Sequence, residues 1–153
     1  MKVLITGMSG TGKSTVLEEL ARRGRHVVDT DSDTWCEWVT DDEGEPDWVW
    51  REDAMTELLT TEGPVFVAGC KTNQVDFYPR FDHVVLLSAP TEVLLDRIDA
   101  RTTNHYGKSA EERELVRKHI AEVQPLLREG ATVEIDATAS VAAVADQLEQ
   151  LLR

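Results

Sequence analysis

Residues 7–14 read Gly-Met-Ser-Gly-Thr-Gly-Lys-Ser. Gly7, Gly10 and Gly12 free the backbone to curl, so that successive N–H groups face one concavity, and such a concavity binds anions. Lys13 then brings a point charge suited to phosphate oxygens, and Ser14 a hydroxyl suited to Mg²⁺. The spacing is Gly-x-x-x-x-Gly-Lys-Ser, the Walker A or P-loop pattern. Gly7, Ser9, Gly10, Thr11, Gly12, Lys13, Ser14 and Thr15 are therefore the expected phosphate contacts.

A P-loop needs a strand before it and a helix after it. Residues 2–6 (KVLIT) are a short apolar strand, and residues 14–23 form a helix with Val16, Leu17, Leu20 and Ala21 on one face. The helix adds its positive N-terminal end to the cradle, and Gly24 suits its C-terminal cap. Further strands are expected at 26–28, 64–68, 82–88 and 131–135. Helices are expected at 51–60, from Pro90 to about residue 101, from Ser109 onward, and after Ser140. Ser109 and Glu112 make a capping box, and Pro125 should kink or shorten the long helix that follows. Residues 34–50 read as irregular, with a turn at Gly44 and Pro46. Most of the strands are continuous apolar runs alternating with helices, which implies an α/β fold of three layers around a parallel sheet.

The chain has 153 residues, a length for one domain. Its net charge of −13 repels polyanions, so nucleic acid and anionic membranes are excluded as partners. Two cysteines make no disulfide framework, and the absence of a long apolar run reads as a cytoplasmic protein. The charge is uneven. Residues 29–53 carry eleven carboxylates and a single basic residue, Arg51, while residues 97–118 hold six of the sixteen basic side chains. All four tryptophans, Trp35, Trp38, Trp48 and Trp50, fall in the acidic stretch, which suggests a pocket wall.

The P-loop, Asp29-Thr30-Asp31 after the second strand, and Arg97-x-x-x-Arg101 before a polar turn together resemble the P-loop small-molecule kinases, the adenylate, shikimate and gluconate kinase-like group. The resemblance implies a five-stranded parallel sheet of order 2-3-1-4-5, a mobile lid at about residues 102–112, and phosphoryl transfer from ATP with Mg²⁺. It implies that Asp29 lies with Ser14 near the Mg²⁺ and that Asp31 orients or deprotonates the acceptor hydroxyl. Arg97 would pack on adenine, Arg101 and Arg113 would reach the transferring phosphates, and Ala137 would lie in the adenine loop. On the acceptor side, about residues 31–62 and beyond, it points to Trp35, Trp50, Arg51, Gly69, Cys70 and Arg80, with Lys71, Asn73 and Gln74 as further polar contacts.

Three readings follow. The first is a kinase for a small hydroxylated molecule, neutral or cationic because the acceptor segment is so acidic. The second is a nucleoside monophosphate kinase, whose acceptor phosphate calls for several arginines where this segment offers Arg51 and Arg80. The third is an ATP-hydrolysing switch acting on a protein partner. Oligomeric state is left open.

Overall fold

The computed structural model describes residues 1–8, 10–100 and 109–153. Seven strands and five α-helices follow the order β1 (Lys2–Thr6), α1 (Lys13–Arg22), β2 (Val27–Asp29), β3 (Cys36–Thr40), β4 (Pro46–Trp50), α2 (Glu52–Thr60), β5 (Val65–Ala68), β6 (His83–Ser88), α3 (Thr91–Ala100), α4 (Ala110–Gly130), β7 (Val133–Asp136) and α5 (Val141–Gln150). Between β5 and β6 lies a 3₁₀ helix, Gln74–Arg80.

The main sheet is parallel, in the order β2-β5-β1-β6-β7. Counting its five strands alone gives 2-3-1-4-5, as expected. Strand β1 is central and buried throughout. Its side chains alternate between two cores: Val3 and Ile5 join Val16, Leu17, Leu20 and Leu148, while Leu4 joins Met55, Leu58 and Phe77. Strands β5 and β6 split in the same way, with Phe66 and Val85 on the first core and Val67 and Val84 on the second. Burial on both faces is why these strands read as unbroken apolar runs. Among the described residues no helix is long and apolar enough to cross a membrane.

Three local expectations need correction. Residues 34–50 are not irregular: β3 and β4 form an antiparallel pair in which Trp38 faces Trp48 and Cys36 faces Trp50. Its turn is built by Asp41, whose Oδ1 accepts N–H bonds from Glu43 and Glu45, both at 2.9 Å. Pro125 does not end α4, which continues to Gly130. The 3₁₀ helix was not foreseen. The helix N-caps hold as expected: Ser109 Oγ accepts from Glu112 N and Ser140 Oγ from Ala143 N, both at 3.1 Å.

Candidate active site

The loop after β1 opens α1 through Gly12, at φ 89°, a left-handed conformation that costs a side-chain-bearing residue dearly. Gly10 and Gly12 through Val16 form one wall of a cleft of about 700 Å³. The facing wall comes from Asp31, Arg97, Ala137, Ala139, Val141 and Val144. Ser9 and Arg101 lie outside the described residues, as do residues 102–108 of the expected lid.

Half-buried Lys13 folds back on its own loop, donating to Gly7 O at 2.6 Å and Met8 O at 3.1 Å. Burial pushes its ammonium below the ordinary lysine value, against the pull of Cys70, Asp29 and Asp31. A phosphate in the cradle would supply the counter-charge that burial withholds. Ser14 Oγ lies 3.5 Å from Asp29 Oδ2, so the α1 hydroxyl and the β2 carboxylate converge as expected. Asp29 Oδ1 also accepts the Asp31 N–H at 3.1 Å, which fixes the turn that aims Asp31 at the cleft.

Arg97 joins the two walls. Its guanidinium donates to Gly10 O at 3.3 Å and Ala137 O at 2.6 Å. The Ala137 N–H in turn donates to Ser88 O at 2.8 Å, which holds the loop after β7 against β6. Arg97 and Ala137 thus meet at the nucleotide cleft, 40 residues apart in sequence. Arg113 instead pairs with Asp99, bridging α4 to α3, and does not line the cleft.

The acceptor-side residues are distributed differently from the expectation. Trp50 is no pocket wall. It is 2% exposed and packs edge-on against Phe77, with centroids 5.6 Å apart. Its Nε1–H donates to Thr30 Oγ1 at 2.8 Å, and that hydroxyl donates to Ala68 O at 2.7 Å. Gly69 stands beside this node because nothing larger fits: a Cβ there would lie 2.4 Å from Thr30 Oγ1 and 3.0 Å from the Trp50 ring. Trp35 packs against the same core. Arg51 is a brace, its Nε donating to Asp33 O at 3.0 Å and Cys36 O at 3.1 Å. Arg80 precedes β6 and so sits at the N-terminal edge of the sheet, opposite the P-loop. The nearby Asp82 carboxylate accepts the Lys2 N–H at 2.7 Å.

Cys70 and Lys71 do reach a cavity, a groove of about 840 Å³ between the 3₁₀ helix and α4. Lys71 Nζ lies 3.1 Å from Asp31 Oδ1 and 4.3 Å above the Trp48 ring. Trp48 is stacked in turn with the exposed Trp38, at 6.1 Å between centroids. Sequence reasoning took Lys71 for a minor polar contact and missed the α4 side of the groove altogether. The apolar α4 residues Val123, Leu126 and Leu127 line it, and Leu126 is 65% exposed.

The model of a family described as AAA domain matches residues 3–121. No curated protein matches the chain. Among solved structures it is similar to a shikimate kinase from Acinetobacter baumannii in complex with shikimate, with 23% identity and a TM-score of 0.69 over 99% of this chain and 92% of that one. A deoxyadenosine kinase from M. mycoides with bound dATP shares 16% identity at a TM-score of 0.62, covering 99% of each chain. A gluconokinase from Sinorhizobium meliloti shares 20% at 0.61, over 95% of this chain and 87% of the other. At these identities the likeness is one of fold.

Proposed function

The chain belongs to the AAA domain family, and from that premise we propose that it transfers the γ-phosphoryl group of ATP to a hydroxyl of a small molecule. The observation that carries this reading is the convergence of Lys13, the Ser14–Asp29 pair and Asp31 on one cleft floored by the P-loop. The kinases that share the fold support it.

The chain would supply position and charge. The P-loop N–H groups and Lys13 hold the β- and γ-phosphates. Ser14 Oγ and Asp29 are oxygen donors of the kind Mg²⁺ takes, leaving the rest of its shell to water and phosphate. When bound, Mg²⁺ would neutralise the charge developing on the transferring group. Asp31 orients the acceptor. The hydroxyl oxygen forms a bond to the γ-phosphorus as the bond to the β,γ-bridging oxygen breaks. ADP departs, and the hydroxyl proton passes to the Asp31 carboxylate and on to solvent. Arg97 keeps the P-loop registered against the loop after β7, where the base would lie.

An acceptor that already carries a phosphate fits less well. Arg51 is braced through Nε on two backbone carbonyls and faces the Glu37 carboxylate at 3.6 Å, and Arg80 stands at the far edge of the sheet, so neither arginine is set to clamp it. The same argument weakens the case for a carboxylate-bearing acceptor such as shikimate. A coupled ADP-release assay tests the reading. Turnover should rise at least about tenfold over basal hydrolysis with one class of alcohol. Turnover that ignores every alcohol and responds only to an added protein would replace the kinase by a switch.

A further inference from the structure

The groove between the 3₁₀ helix and α4 lies outside the P-loop cleft, and its surface is mainly apolar. Met8, Val75, Tyr78, Val123, Leu126 and Leu127 are among its lining residues. Two of the chain's exposed large apolar side chains stand on its rim, Val75 at 58% and Leu126 at 65%. A volume of about 840 Å³ suits a small organic molecule.

Two of its polar lining groups are already committed. The Gln74 amide donates to Thr6 Oγ1 at 3.0 Å and to the Tyr78 hydroxyl at 2.9 Å, and its oxygen accepts the Lys71 N–H at 2.9 Å. The Lys71 ammonium is held by Asp31 and the Trp48 face. Of the other polar side chains, Thr72 donates to Asp47, and His119 and Glu129 are exposed residues of α4. Against so apolar a surface, many hydroxyls of a polyhydroxylated ligand would go unpaired, and each would cost free energy.

The groove adjoins the cleft at two points. The Met8 carbonyl accepts a bond from Lys13 Nζ, while Met8 also lines the groove. Asp31 lines the cleft and its partner Lys71 lines the groove, so their ion pair straddles the boundary. We propose that this groove seats the phosphoryl acceptor, and that the acceptor is an alcohol on an apolar, ring-sized body rather than a sugar, a hydroxy acid or a nucleotide. The inference rests on the kinase reading. The apolar body lies along Val123 and Leu126, and the hydroxyl emerges at the Asp31–Lys71 pair, facing the γ-phosphate.

The experiment compares 2-phenylethanol and 2-(2-naphthyl)ethanol with gluconate, shikimate and deoxyadenosine. Both ADP release and the phosphate ester are measured, the latter by mass spectrometry. The aryl alcohols should give ester at the higher kcat/KM. Val123→Trp, which fills the groove, should raise their KM about tenfold or more while leaving the KM for ATP within about twofold. Leu126→Ser, at an exposed position, should shift the same KM in the same direction without threatening the fold. Saturation-transfer NMR on the unreacted protein should show 2-(2-naphthyl)ethanol bound, and the signal should fall in both variants. If gluconate, shikimate or deoxyadenosine gives the better ester yield and both variants behave as wild type, the inference is overturned and the kinase reading stands. If no alcohol of either class gives ester, the kinase reading fails and the inference falls with it.

Discussion

The donor and acceptor sides of this site are held by different kinds of structure. On the proposed donor side one wall of the cleft is a single consecutive run, Gly10 to Val16, and the proposed phosphate contacts follow from the curl of that loop. On the acceptor side single side chains from separate elements meet. Thr30 bonds Trp50 twenty residues away and Ala68 thirty-eight away, and Lys71 reaches Asp31 across forty. Changes on the donor side should therefore remove activity from a folded protein, whereas changes at the acceptor-side node should remove the fold first.

The sharpest break is Lys13→Ala. It should lower turnover by about 10²–10³, the loss seen when one charge-stabilising group is removed from a transition state. Far-ultraviolet circular dichroism and the melting temperature should stay close to wild type, because Lys13 bonds only to carbonyls of its own loop. Next comes Gly69→Ala. The added methyl collides with Thr30 Oγ1 and the Trp50 ring, so stability should fall by about 2–3 kcal/mol in urea unfolding. An unchanged midpoint there would mean that the node does not hold the acceptor side together.

That contrast also explains what was legible in the sequence. The P-loop announced itself because its function is its backbone path, and glycine spacing reports that path directly. The parallel sheet followed from five apolar runs alternating with helices, and its order from the resemblance to the P-loop kinases. Asp29, Asp31, Arg97 and Ala137 come together around the cleft because each stands at the carboxyl end of a strand or on a helix next to the P-loop. The hairpin was missed although Trp38-Val39-Thr40 and Trp48-Val49-Trp50 flank a turn around Gly44. The run of carboxylates between them disguised two β-rich segments as a loop. Trp50 and Arg51 were assigned to the acceptor because type alone cannot tell an aromatic that lines a pocket from one that fills a core, or a clamp from a brace. The groove was invisible for a related reason: it needs α4 and the 3₁₀ helix side by side, and only the fold says that they are.

A smaller effect lies away from both halves. Arg23, and then Arg25, hold the Glu149 carboxyl below the usual carboxylate range, tying the end of α1 to α5. A depressed folded-state pKa stabilises above the unfolded value and loses that contribution as pH falls through the folded one. Glu149→Gln should therefore lower the melting temperature slightly at neutral pH. It should also make the melting temperature fall less steeply than wild type below about pH 4. Smallest of all, Trp38→Ala should change stability by no more than about 0.5 kcal/mol, since the ring is 70% exposed. A larger loss would mean that the Trp38–Trp48 stack supports Lys71 and, through it, Asp31.

The most direct test of the central claim is to incubate wild-type protein with Mg-ATP and an equimolar mixture of aryl, sugar-acid and nucleoside alcohols, and to weigh the products by mass spectrometry. The account predicts one new phosphate monoester, formed in step with ADP and absent with Lys13→Ala. ADP released as inorganic phosphate accumulates, with no ester of any alcohol, would contradict it.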